Sequence, residues 1–523
     1  MDREDIYDGI TDVRDDLVDQ ADKKEQKAQK ARRHGSQRYR WIAGMAAMLA
    51  VAVLAAGVAL RYGSMGRGAS GGAPADGNNA GGDSGSSAGT AALAAHAIKE
   101  ASYPDMPAYP REEDLFDPKT GEMDDEAFDR LYMPWSEAQR GRFDLPENYA
   151  AGLESFFAAG IRQFLSGAGE ENRVYSPVNV LMALAMQAEL TEGNSRKQIL
   201  DLLGQDSVEA LRAQVGNIWK ANYCDDGATT SILANSLWLN ESVDFVPETM
   251  ETLARAYYAS SYRGEMGTEE FDQALRDWIN QQTGGLLEEQ AAGLSLDPET
   301  VLALASTIYF RGKWSSEFSP SRTEPQTFHT PAGDVECDFM HQSGSTGTYY
   351  WGDRFSATDK YLDNYAGTMY FLLPDEGVTV EELLEDPQVT EFLLTRDRWE
   401  DWENQKNLIV NLSLPKFDVA SDLDLIEGLQ ALGITDVFDP MVSDFSPMTE
   451  QVDGIYLSQA KHAARVAVDE EGVTAAAFTV MADAGAGMPP EEEVDFVLDR
   501  PFLFAIIGVD GLPLFVGVVN QPV

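Results

Sequence analysis

Twenty consecutive residues without a charge, from Trp41 to Leu60, divide this chain into parts with different solvents. As a helix rising about 1.5 Å per residue, the run spans roughly 30 Å, the thickness of a bilayer's hydrocarbon interior. Lys23, Lys24, Lys27, Lys30, Arg32, Arg33, Arg38 and Arg40 precede it closely, and only Arg61 and Arg67 follow closely. That asymmetry predicts a cytoplasmic N-terminus, a single-pass anchor in a cell membrane and an extracellular remainder. A cleaved signal peptide is the competing reading, because the run is rich in Ala and ends in small residues. Its long basic lead and its length favour a retained anchor. The expected organisation is a cytoplasmic tail over 1–40, a transmembrane signal anchor over 41–60, a flexible linker over 61–141 and a folded domain over 142–523.

From Tyr62 to about Thr90 the chain is Gly, Ser and Ala with few large side chains, and an acidic stretch with scattered Pro continues to about Arg142. Such composition buries too little apolar surface to order itself. As a Gly-rich coil, the ~80 residues would hold the domain roughly 50 Å from the membrane. Two nucleophile look-alikes fall in this tract, Gly82-Asp83-Ser84-Gly85 and Gly68-Ala69-Ser70-Gly71-Gly72. A nucleophile elbow needs a strand before it, a helix after it and a histidine nearby, and a Gly/Ser tract supplies none of these. They are read as chance composition.

Asp and Glu outnumber Lys and Arg by 87 to 39, for a net charge of −48. Nucleic acid is excluded as a partner, since a phosphate backbone needs a basic patch to release its counterions. A polyanionic glycosaminoglycan activator is disfavoured on the same ground. The two cysteines, Cys224 and Cys337, do not make a disulfide scaffold, and spacing does not say whether they pair. His34, His96, His329, His341 and His462 are scattered, so neither a metal site nor a cofactor is expected.

Beyond Arg142 the periodicities are those of a globular domain. Apolar residues recur at helical steps over Tyr149–Leu165 and Val178–Leu190. Strand-like runs occupy Ser231–Leu239, Thr300–Phe310, Thr368–Leu373, Leu408–Leu414, Phe502–Val509 and Leu514–Val519. Helices come early and strands late, which predicts an α+β fold rather than a βαβ alternation.

Several ordered segments then carry a specific resemblance. Val174-Tyr175-Ser176-Pro177-Val178-Asn179-Val180, Glu192-Gly193-Asn194-Ser195 and Ala234-Asn235-Ser236-Leu237-Trp238-Leu239 are the first of them. Ile308-Tyr309-Phe310-Arg311-Gly312-Lys313-Trp314 with Phe318 and Thr323 follows, then Leu414-Pro415-Lys416-Phe417, Leu432-Gly433-Ile434, Val437-Phe438 and Asp444-Phe445-Ser446. Asp499-Arg500-Pro501-Phe502-Leu503-Phe504 and Pro513-Leu514-Phe515-Val516-Gly517 close the series. Together they resemble the serpin family over about 380 residues, with no counterpart for the first 140 or so. The resemblance implies a helical N-terminal part, a large central, mostly antiparallel sheet, smaller sheets and an exposed reactive-centre loop. It implies no enzyme but a single-use inhibitor of serine proteases, here displayed on a bacterial surface as a monomer.

The segment Glu470, Glu471, Gly472, Val473, Thr474, Ala475, Ala476 and Ala477 is similar to the hinge of inhibitory serpins. In that family a protease attacks the exposed loop, forms an acyl-enzyme and is carried across the sheet as the cut loop inserts as a strand. The residues suit such insertion. Val473, Ala475, Ala477, Thr479 and Met481 share one face and are small or apolar, and no proline lies between Gly472 and Met488. Asp483 departs from that face's pattern, and full insertion is expected to fray there.

The family's usual hinge-to-bond distance places the attacked carbonyl on Ala486, followed by Gly487. Small neighbours, Ala484 and Gly485, suit an elastase-like protease with a shallow pocket. A bond after Met488 would instead suit a chymotrypsin- or cathepsin-G-like one.

The family's sheet-opening cluster maps onto Ser176, Asn179, Ser306 and His462, with Trp314 where the hinge enters. The family more often has Ser at the position of Asn179 and Asn at that of Ser306. This suggests that amide and hydroxyl have traded places around His462. The alternative reading is a non-inhibitory serpin that binds a ligand or acts as a chaperone-like surface protein. Bulky, charged or proline-containing hinges mark such members, and Ala475, Ala476 and Ala477 argue against it.

Overall fold

A computed structural model describes residues 93–473 and 490–522, apart from residues 118, 119, 121, 397, 452 and 453. All of these fall in one compact unit. The expected anchor, the Gly/Ser tract with Ser70 and Ser84, Thr474–Ala477 and the Ala486–Gly487 bond lie outside the described residues. Among the described residues no helix is long and apolar enough to cross a membrane.

The fold is α+β and rests on a central sheet of eight strands. They are β1 (Ala97–Lys99), β2 (Cys224–Asp225), β3 (Thr230–Asn240), β4 (Ala259–Gly264), β5 (Leu302–Lys313), β6 (Phe417–Asp424), β7 (Lys461–Val468) and β8 (Gly472–Val473). Their order is β1-β4-β3-β5-β8-β7-β6, with β2 paired to β3. Every pairing is antiparallel except that of β3 with β4.

A second sheet of nine strands packs behind it. The smaller sheets implied by the resemblance share one strand there, Gly333–Trp351, whose 19 residues join them into a continuous ladder. The apolar runs legible in the sequence are strands of these two sheets, including Gly367–Pro374, Gln405–Pro415, Phe502–Ile507 and Pro513–Val519.

The two early helical patterns are helices. Their neighbours along the chain give α1 (Met133–Phe143), α2 (Glu154–Leu165), α3 (Pro177–Leu190), α4 (Val208–Asn222) and α5 (Glu269–Gln282). Ser176 caps α3 by accepting from the Asn179 N–H at 3.3 Å, and Pro177 occupies the first turn, where its missing N–H costs nothing. Nearly every residue of α3 is buried, so its apolar pattern runs all round the helix, as in a core helix. α5 covers the other face of the central sheet, packing Phe271, Leu275, Trp278 and Ile279 with Trp238 and Tyr262.

The acidic half of the expected linker departs from its reading as a coil. β1 adds to the edge of β4, Tyr109 N donates to the Asp226 carbonyl at 2.8 Å, and α1 packs across α4. Trp135, Gln139 and Arg142 are buried. The Asp226 carboxylate collects N–H groups from Trp135 at 2.9 Å, Gln139 at 3.2 Å, Ala228 at 3.0 Å and Thr229 at 2.8 Å. The Tyr103 ring joins a pile of Trp219, Tyr223 and Tyr258.

The physical reason is that sparse aromatics need no core of their own when a folded neighbour offers one. The domain supplies most of the apolar surface, and the segment adds only its anchors. Cys224 and Cys337 are both free and buried. Trp135→Ala is expected to destabilise the molecule by about 3–5 kcal/mol and to speed proteolysis within residues 93–143, measured by urea unfolding and by timed digestion.

Candidate functional site

The strand β8 is two residues long, yet it is paired on both sides. Val473 faces Val468 of β7 and Gly312 of β5, and Gly472 faces Lys313. Beyond this point the facing edges of β5 and β7, parallel to one another, have no strand partner among the described residues. The two edges form the walls of a slot, and β8 is its top rung.

A tight turn delivers the chain from β7 into that rung. The Asp469 carboxylate accepts from Glu471 N at 2.9 Å and Gly472 N at 3.1 Å, and Asp469 N donates to the Gly472 carbonyl at 3.1 Å. A Cβ on residue 472 would lie 2.3 Å from the Gly312 carbonyl oxygen and 2.8 Å from the Lys313 Cα, so close backbone approach requires the glycine. Trp314, 2% exposed, holds the turn twice. Its backbone N–H donates to the Glu471 carbonyl at 3.0 Å and its indole N–H to the Asp469 carbonyl at 2.9 Å. The Lys360 ammonium lies 5.3 Å from the centre of the Trp314 ring and 4.3 Å from that of Phe318, and burial pushes its pKa down to about 7.

Glu470 fixes the turn laterally. Its carboxylate accepts from Lys416 Nζ at 2.8 Å and Thr323 Oγ1 at 2.8 Å, and Phe318 N donates to its carbonyl at 2.9 Å. Burial alone would raise its pKa; the bonds from Lys416 and Thr323 outweigh that and hold it below the ordinary carboxylate value.

Deeper between the walls, the predicted polar cluster resolves into two groups. His462 of β7, buried, accepts at Nε2 from the Ser176 backbone N–H at 3.0 Å, and its ring meets Tyr175 edge-on at 5.6 Å. Asn179 and Ser306 bond each other: the Asn179 amide donates to the Ser306 carbonyl at 3.2 Å, and the Ser306 hydroxyl faces Asn179 Oδ1. The same hydroxyl lies 2.7 Å from Asn235 Oδ1, whose amide donates to the Tyr257 carbonyl at 2.9 Å. A hydroxyl has one proton for these two amide oxygens, so the pair is satisfied only in alternation.

The exchanged residues are thus partners of one another, and no hydrogen bond joins either side chain to His462 among the described residues. His462 reaches them through Ser176, whose side chain caps the turn that carries Asn179. The structure sets Trp314 with Glu470 to Val473 at the head of the slot, and Ser176, Asn179, Ser306 and His462 lower between the walls. Asn235, Thr323, Lys416 and Asp469 stand in the recognisable motifs but their roles were not legible there; Lys360 carried no signal. Among the described residues no group of His, Cys, Asp and Glu is placed to hold a metal.

Comparison with known proteins follows the same lines. A family model described as Serpin (serine protease inhibitor) matches residues 153–522. Alpha-1-antiproteinase 2 of Equus caballus is 31% identical over 382 residues, covering 71% of this chain and 87% of that protein. Alpha-1-antitrypsin 1-3 of Mus musculus is 29% identical over 396 residues, covering 74% and 92%. The thermophilic serpin tengpin in its native state superposes with a TM-score of 0.64 at 24% identity, covering 72% of this chain and 95% of that one, a likeness of fold.

Two measurements address the cluster. Asn179→Ser and Ser306→Asn should each cost about 1–3 kcal/mol by orphaning a buried polar group, whereas the double exchange should cost clearly less than their sum in a thermal-midpoint cycle. Burial holds His462 neutral, its pKa pushed from 6.5 down to about 4. The unfolded chain therefore takes up a proton that the folded chain refuses between those values. This contribution is complete above about pH 6.5 and is lost as pH falls toward about 4, with about 2 kcal/mol gone by pH 5. The drop in unfolding midpoint between about pH 7.5 and about pH 5 should accordingly be smaller in His462→Gln than in the unaltered chain.

Proposed function

The chain belongs to the serpin family of serine protease inhibitors, and we propose that it is an irreversible, single-use inhibitor that traps an elastase-like serine protease as an acyl-enzyme. The observation that carries this reading is the rung Gly472–Val473, paired on both sides at the head of a slot whose walls are otherwise unpaired among the described residues. A chain that continues from Val473 in the same register completes the sheet.

Extending the two registers gives each residue of the loop an address. Ala475 comes opposite Phe310 and Val466, and Ala477 opposite Ile308 and Ala464, all four apolar and buried. Thr479 comes opposite Ser306 and His462, where its hydroxyl brings a proton to the amide oxygens that share one. Asp483 comes opposite Leu302, the first residue of β5, so its charge falls at the mouth of the slot rather than inside it.

The protease serine attacks the Ala486 carbonyl and forms an ester. The bond to Gly487 breaks, its amine leaves with a proton, and the freed loop fills the slot before water reaches the ester. Strand addition supplies the driving force, because successive added residues satisfy backbone groups on the two walls in turn.

The small side chains at Ala484, Gly485, Ala486 and Gly487 support an elastase-like target, since a shallow pocket accepts them and no Lys or Arg is near. The uncharged run Trp41–Leu60 with its basic lead supports display outside a cell membrane. The test is to mix the full-length chain with pancreatic or neutrophil elastase and follow it on denaturing gels with mass spectrometry. An SDS-stable adduct with release of a peptide beginning at Gly487 is expected. Clean cleavage without adduct would make the chain a substrate and favour the non-inhibitory alternative; no cleavage would remove the bond assignment.

A further inference from the structure

Beside the hinge turn the structure buries a lysine that the inhibitory reading leaves unused. Lys360 stands in the strand Phe355–Leu362 and is 6% exposed. Among the described residues no carboxylate lies within ion-pair reach of its ammonium. Burying an unpaired ammonium is costly, which is why this one gives up its proton near neutrality. An apolar side chain would fill the position at less cost, so its donors and its charge are what set Lys360 apart.

Both act on one short loop, Trp314–Phe318. The ammonium donates to the Ser316 carbonyl at 2.6 Å and to Gln342 Oε1 at 2.6 Å, and Gln342 Nε2 donates in turn to Ser316 Oγ at 2.9 Å. The Trp314 and Phe318 rings meet at 86° with their centres 6.2 Å apart, and the ammonium lies against both. A single nitrogen thus ties the loop at its first, third and fifth residues.

The same two aromatic residues hold the hinge turn. The Trp314 backbone N–H donates to the Glu471 carbonyl, the Phe318 N–H to the Glu470 carbonyl and the Trp314 indole to the Asp469 carbonyl. Three successive carbonyls of the turn are therefore fixed by residues whose rings flank Lys360. Its strand also runs beside the loop, since Ser315 N donates to the Tyr361 carbonyl at 3.0 Å and Trp314 pairs with Leu362. No hydrogen bond joins Lys360 to the turn among the described residues, so its influence passes through the loop.

We propose that Lys360 is a positioning residue for strand insertion: it fixes the Trp314–Phe318 loop, and through that loop keeps the rung Gly472–Val473 in register as the nucleus on which the inserting strand grows. The proposal rests on the slot-filling reading above. Growth from a rung already paired on both walls orders one residue at a time, whereas a frayed rung must first find its register again. Delay at this point gives water time to reach the ester, so a loosened rung raises the share of chains that are cleaved without trapping.

The test uses the full-length chain, with hydrogen exchange of the peptide 469–473 read at about pH 6, where Lys360 keeps its proton. Lys360→Met keeps the length of the side chain and removes donors and charge. Protection of this peptide is expected to fall about tenfold, while the global unfolding midpoint does not fall, because a buried unpaired charge has been removed. Lys360→Arg keeps donors and charge and should recover most of the protection. With elastase at the same pH, the number of chains consumed per protease trapped should rise several-fold in Lys360→Met and return toward the unaltered value in Lys360→Arg. If Lys360→Met does not fold, Lys360→Leu serves in its place.

Unchanged protection in Lys360→Met, or a loss that only follows the global midpoint, would overturn the proposal. So would equal protection in the Met and Arg variants, or lost protection with no change in the chains consumed per protease trapped. Exchange needs no protease, so lost protection without an adduct from any form would leave the hold of Lys360 standing and remove the trapping reading instead.

Discussion

Two strand edges, those of β5 and β7, face one another in the middle of the central sheet, and the working parts of the molecule are arranged around them. Backbone N–H and C=O groups demand partners, and a row of them along an edge is a template for one more strand. In most folds such edges lie at the border of a sheet. Here they lie inside it, flanked by full ladders on either side, β3 with β5 and β7 with β6.

Distinct chemistries act at different heights along these edges. At the head, a glycine rung is held by Trp314, by the Asp469 turn and by the ion pair of Glu470 with Lys416. Lower down, a neutral histidine and a hydroxyl between two amides make a polar layer in an apolar core. The head is held by charge and aromatic packing, and the layer by hydrogen bonds. Because buried polar groups are costly when left unpaired, each arrangement is stiff until its partners change and yields abruptly once they do.

Much of the scaffold was legible in the chain. Strands buried on both faces, such as β3 and Phe502–Ile507, read as apolar runs, and α3 read as a helix with its Ser-Pro start. Strands with one wet face were harder. Gly333–Trp351 alternates too weakly to announce 19 paired residues, and β7, with Ala463, Ala464 and Arg465, has the local composition of a helix. The polar layer was legible only through the family resemblance, since Ser176, Asn179, Ser306 and His462 come from segments joined by tertiary pairing. Composition misled over residues 93–141, where charge hid a few aromatic anchors whose partners lie on another part of the chain. Local pattern reports what a segment contributes to a core and is silent about the hollow it will meet.

The segment that was read as linker also bears on the sheet's outer borders. At one border β1 lies along β4 and takes its free edge out of circulation. At the other, β6 carries the exposed carboxylates Asp418, Asp422 and Asp424, the first paired with Arg465 and the last with Lys461, so that charged side chains line that border. Protected borders are how sheet proteins avoid joining edge to edge into fibres. A protein that keeps adhesive backbone at its centre has particular need of them. Here one border is covered by a piece of chain outside the matched family region and the other is lined with charge, so the sheet's appetite for a strand is directed inward.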